Sequence, residues 1–174
     1  MSLILPFSES VRLNEIGKGL ERRLEPDAAM RAKIARALDL ASLDTFVAEL
    51  SLKPADNAGY RLMGRVKASA VQTCGITLEP LPVEIDQRFS VDLAESVEAP
   101  EDDEVEVSLD DDAPDLIEDG RIDLGQYAVE QLALQLDPFP RKPGAEFVQP
   151  EEPAEISPFA VLKQFKAKDD AGEA

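Results

Sequence analysis

Histidine and tryptophan are absent from this 174-residue chain, and cysteine occurs once, at Cys74. Without imidazole, the chain lacks both the side chain most often used to move protons near neutral pH and the commonest metal ligand. Ser-His-Asp and Cys-His nucleophile systems are excluded. A single thiol cannot close an internal disulfide, which agrees with a reducing compartment. The nine glycines are scattered, and Gly17-Lys18-Gly19 has neither the preceding strand nor the spacing of a phosphate loop. No apolar run approaches the roughly 18 residues of a membrane span, and the start of the chain lacks a basic stretch followed by an apolar one. These absences predict a cytoplasmic protein with no metal, no cofactor and no catalytic residue, one that binds other macromolecules and is not an enzyme.

What is present is charge, unevenly placed. The net charge of −18 argues at first against nucleic acid, because phosphate binding is driven by Lys and Arg displacing counterions. Residues 1–94, however, carry 12 basic and 13 acidic side chains, whereas residues 95–119 carry 13 acidic and none basic. Residues 120–174 carry 6 basic and 10 acidic. The body is nearly neutral and the excess sits in one run.

Aromatics make up only 5% of the chain, so the core is built from Leu, Val, Ile and a few Phe. Met30, Ile34 and Leu38 recur at helical spacing after Glu25-Pro26-Asp27, and predict a helix over 26–40 with Pro26 in its first turn. The period then changes to two. Strands are expected at 43–53, at 60–73 and around Val83 to Leu93, joined as an antiparallel meander. Val105, Val107 and Leu109 interrupt the acidic run and read either as a short edge strand or as part of a solvated loop. Asp123 is a candidate N-cap for a helix over 123–137, which Pro138 and Pro140 stop. Ser157-Pro158 opens a short amphipathic helix with Phe159, Leu162 and Phe165. The expected fold class is α+β: a twisted antiparallel sheet packed by two or three helices, with an acidic loop at 95–119. A partly closed barrel is the alternative. One domain over 1–147 and a tail over 148–174 follow.

Two charged features are candidates for function. Glu101-Asp102-Asp103-Glu104 and Asp110-Asp111-Asp112 lack the positions and the turn glycine of a calcium loop, and read as solvated charge. Arg61, Arg65 and Lys67 share one face of a strand, and Arg88 falls on the same face of the next. They form either a basic patch for a partner or an ordinary exposed face neutralised by Glu84, Asp86 and Asp92.

The stretch RVKASAVQTCGITLEPLPVEIDQRFSVDL at 65–93 carries Cys74, Thr77, Leu78, Glu79 and Pro80. With IDLGQYAVEQLALQLDPFPRKPGAEF at 122–147 and SPFAVLKQFK at 157–166, it resembles the YceD-like family of large ribosomal RNA subunit accumulation proteins. The resemblance implies a role in ribosome biogenesis as an accessory factor for large-subunit ribosomal RNA. The partner is that RNA or a large-subunit ribosomal protein, and the second reading is an acidic adaptor or chaperone for a basic ribosomal protein. Many members carry a second cysteine three residues after the first and more near the place of Pro138 to Pro143. Here the second position is Thr77 and the later segment has no cysteine, so a zinc site of thiolates and imidazoles cannot form within the chain. Cys74 ends an apolar strand and reads as a small buried side chain, with nothing nearby in sequence to lower its pKa.

Overall fold

The computed structural model describes residues 5–55, 59–95 and 113–147. The dominant period-two signals become three long strands, β3 (Ser42–Pro54), β4 (Gly59–Thr73) and β5 (Pro80–Glu95), with β4 antiparallel to both neighbours. Each outruns its sequence prediction. In β5 the extension takes in Pro80 and Pro82, which no strand pairs beyond β4 among the described residues, as suits proline on a sheet edge. One face of the meander is apolar. Phe46, Ala48, Leu50 and Leu52 of β3, Leu62, Val66, Ala68 and Ala70 of β4, and Ile85 and Leu93 of β5 are all buried.

Two short strands extend the sheet to the order β2-β3-β4-β5-β6. The segment β2 (Leu20–Leu24) adds antiparallel to β3; Leu-Glu-Arg-Arg-Leu is too short and too charged for alternation to reveal it. On the other side β6 (Asp115–Ile117) runs parallel to residues 93–95 of β5, so the sheet is mixed and not wholly antiparallel. β6 falls inside the stretch expected to be acidic loop, because Ile117 is buried in the core and draws its neighbours into the sheet. The sheet does not close on itself, and the barrel alternative is not supported. A separate two-stranded sheet pairs β1 (Ser10–Arg12) with β7 (Arg121–Asp123), and a single turn of helix, α1 (Leu13–Ile16), follows β1. The suggested strand at Val105, Val107 and Leu109 and the helix at 157–165 lie outside the described residues. The described elements belong to a unit of residues 1–143; of the second unit, 144–174, only 144–147 are described.

Two helices cover the apolar face. Asp27 caps α2 (Ala28–Ala37) by accepting the Met30 N–H at 2.7 Å, so Pro26 lies two residues before the helix and not in its first turn as expected. The helix ends before Asp39, whose left-handed φ of 53° no helix continues through. Asp123 caps α3 (Leu124–Gln135), accepting the N–H groups of Gly125 and Gln126 at 3.0 and 3.1 Å. Ile34 of α2 and Val129 and Leu132 of α3 are fully buried; α2 packs on β3, and α3 on β4 and β5.

Phe89, which alternation places in the middle of the core, is only partly buried. Its ring lies over Gly64 on the adjacent strand, where a Cβ would come within 2.5 Å of Phe89 and 2.7 Å of Leu50. Glycine is required there because its neighbours fill the space a side chain would take. The central aromatic is Phe46, 1% exposed. Phe46→Ala is therefore expected to destabilise by roughly 3–5 kcal/mol and Phe89→Ala by less. Urea unfolding of the two variants checks the ranking, and a larger loss for Phe89→Ala contradicts it.

Candidate partner-binding surfaces

The outer face of the sheet is built by the same register that makes the inner face apolar. Arg61 lies opposite Asp92, Arg65 opposite Arg88, and Lys67 opposite Asp86. All four basic residues of the sequence pattern therefore share one surface. Two of them are held in place. Arg61 donates to both carboxylate oxygens of Asp92 at 2.6 and 3.1 Å, and Arg65 donates to both of Asp86 at 2.6 Å. These hydrogen bonds hold the Asp86 and Asp92 carboxyls below their ordinary range, so the pairs persist until the pH falls beneath it. Glu84 takes the Ser69 hydroxyl and Arg23 pairs with Glu49 at 2.8 Å. Lys67 and Arg88 make no ion pair among the described residues, although both bear on the Asp86 charge. The paired rows of β2 to β5 thus present six cations and five carboxylates, close to balance. A shallow groove of about 590 Å³ runs along this face past Met63, Arg65 and Arg88.

The Cys74 to Pro80 stretch is a fastener. The Cys74 carbonyl accepts the Leu78 N–H at 3.0 Å and the Cys74 N–H donates to the Glu79 carbonyl at 2.9 Å, closing the turn between β4 and β5. Leu78 has a left-handed φ of 59° and points its side chain into solvent, 76% exposed. Across from this turn lies the segment after α3. Gly75 donates to the Pro140 carbonyl at 2.9 Å, and the Gln72 amide donates to the Asp137 carbonyl at 2.9 Å. The Lys142 ammonium meets both Glu79 oxygens at 2.9 and 3.0 Å, and with the Thr77 side chain it keeps that carboxyl low. Pro80 starts β5 opposite Thr73.

Cys74 sits at the centre of this fastener, fully buried. Its sulfur accepts the backbone N–H of Thr77 at 3.4 Å and of Lys142 at 3.3 Å. Hydrogen bonds from the Thr77 side chain first, then from the backbone of Thr77, Lys142 and Ile76, pull the thiol down to about 6 against the opposing effect of burial. This corrects the expectation that nothing nearby in sequence lowers the thiol: the leading donor, Thr77, is three residues away, and only the Lys142 N–H comes from 68 residues along the chain. Among the described residues no group of three or more His, Cys, Asp or Glu could hold a metal ion. A second fastener is equally hidden from sequence reading. The Gln126 amide accepts the Leu5 N–H and donates to the Leu5 and Phe7 carbonyls, all within 2.8 Å, while Gly125 lets the backbone of residues 7–9 approach α3.

The depressed thiol has a measurable consequence. Between about 6 and its ordinary 9, Cys74 binds fewer protons folded than unfolded, so its contribution to stability grows as pH rises through that window and is lost as pH falls through 6. The urea midpoint of the native chain is expected to rise from pH 6 to pH 9 relative to that of Cys74→Ser. Parallel midpoints across that range would show that the sulfur stays protonated.

No curated protein and no solved structure matches the chain. The family model described as "Large ribosomal RNA subunit accumulation protein YceD" matches residues 62–166, which include most of β4, all of β5, the Cys74 fastener and α3. That match spans more than half of the sequence, and the chain belongs to the YceD family of large ribosomal RNA subunit accumulation proteins.

Proposed function

We propose that this protein is a cytoplasmic, non-enzymatic accessory factor in ribosome biogenesis that supports accumulation of large-subunit ribosomal RNA by contacting it through the outer face of the sheet. The family match carries the reading, since the matched residues form the hairpin on which Arg65, Lys67 and Arg88 lie. On that face Lys67 and Arg88 are the phosphate-binding cations, because Arg61 and Arg65 are committed to carboxylates. Asp86 and Asp92 then set how much positive charge the face offers. RNA competes for Arg65 and Arg61 by displacing these carboxylates, and each phosphate neutralised releases counterions. The second reading is an acidic adaptor that holds a basic ribosomal protein; the 13 acidic and no basic residues of 95–119 favour it.

Titration of a large-subunit ribosomal RNA fragment at several salt concentrations separates the two. On the RNA reading, Lys67→Ala with Arg88→Ala weakens binding and lowers the salt slope by about 2, since each cation that neutralises a phosphate accounts for roughly 0.9 of that slope. Asp86→Asn, which releases Arg65, strengthens binding. Removing residues 98–112 strengthens it too, because the acidic run no longer competes with phosphate for the cations. On the adaptor reading the same deletion abolishes retention of basic ribosomal proteins in nuclease-treated pull-downs. RNA affinity unchanged in all three variants would overturn the proposed role of the sheet face.

A further inference from the structure

A cleft of about 670 Å³ opens where the ends of α2, β4 and α3 meet the segment that follows α3. That volume lies within the range of about 300–1,000 Å³ found for ligand-holding pockets. Leu38, Ile76, Leu136 and Phe139 give it an apolar lining, and none of Arg61, Arg65, Lys67 or Arg88 takes part. Phe139 is 75% exposed, a large aromatic left in water at the edge of an apolar depression. Such a side chain is the usual anchor of a protein interface, and its exposure costs the free chain hydrophobic burial that a partner would restore. The same cleft carries two exposed carboxylates, Asp39 and Asp137, against one cation, Arg141. The Asp39 carboxylate has no bonded partner among the described residues, and Asp137 retains one oxygen beyond the one that accepts the Phe139 N–H.

We propose that this cleft docks a basic, apolar-tipped segment of another protein, the apolar tip packing on Phe139 and Leu136 and the flanking cations meeting Asp39 and Asp137. Charge favours that occupant over a nucleic acid, which would bring phosphate against two carboxylates. The docking is separate from the RNA-binding face, since the two surfaces share no residue named for either.

The test uses the full-length chain and a short fluorescein-labelled peptide with a central Leu-Phe pair flanked by lysines and arginines. Fluorescence polarisation is expected to show saturable binding that Phe139→Ser weakens by about tenfold. Asp39→Asn combined with Asp137→Asn weakens it further and flattens its salt dependence, and a matched peptide with glutamates for the basic residues does not bind. Amide resonances of Leu38 and Ile76 shift on titration while those of Lys67 and Arg88 stay. Four results overturn the proposal: equal binding of the glutamate peptide, indifference to Phe139→Ser, self-association that Phe139→Ser abolishes, or shifts at Leu38 and Ile76 on deletion of residues 157–166 without any response to the peptide. The last two would assign the cleft to a second copy or to this chain's own sequence.

Discussion

The antiparallel register of β4 against β5, from Gly59 opposite Ala94 to Thr73 opposite Pro80, decides both surfaces of the protein at once. Side chains alternate across a strand, so one choice of register puts Leu62, Val66 and Ala68 under the helices and Arg61, Arg65 and Lys67 into solvent. A slip of one residue would bury three cations and expose the core. Gly64 marks where this register is tightest, with the Phe89 ring and Leu50 closing over the space that a side chain would occupy. The remaining elements depend on it: β3 and β2 add to one side, β6 to the other, and α2 and α3 pack on the apolar face.

The same register creates an electrostatic conflict and its resolution. Arg65 and Arg88 lie directly opposite one another, an arrangement that repels. Asp86, two residues before Arg88 on the same face of β5, reaches diagonally to Arg65 and binds it through both oxygens. Arg88 is left facing solvent beside Lys67. The sheet face is therefore a set of cations of which Arg61 and Arg65 are bound by neighbouring carboxylates.

Local signals in the sequence announce much of this fold, and the features they miss have a common cause. Alternation reveals the three long strands, and capping chemistry places Asp123 at the start of α3, because both depend only on near neighbours. The charged face is legible too, including its neutralisation by Asp86 and Asp92, since period two alone puts these groups together. The missing elements are short or depend on distant partners. β1, β7 and β2 have three to five residues each, too few for a period to emerge. The parallel β6 is an apolar pair embedded in acidic sequence. The Lys142 N–H that adds to the Thr77 donors at Cys74, and the Gln126 amide that anchors residues 5–7, come from far along the chain, and spacing cannot announce them.

The role proposed for the outer sheet face is the binding of large-subunit ribosomal RNA, and it rests on the family match together with the placement of Lys67 and Arg88 on that face. Ultraviolet crosslinking of the full-length chain to that RNA, followed by mass spectrometry of the crosslinked peptides, decides whether the face has that role. Crosslinks are expected within residues 61–69 of β4 and 84–92 of β5, around Lys67 and Arg88. Crosslinks confined to other elements, with these two strands unmodified, would contradict it.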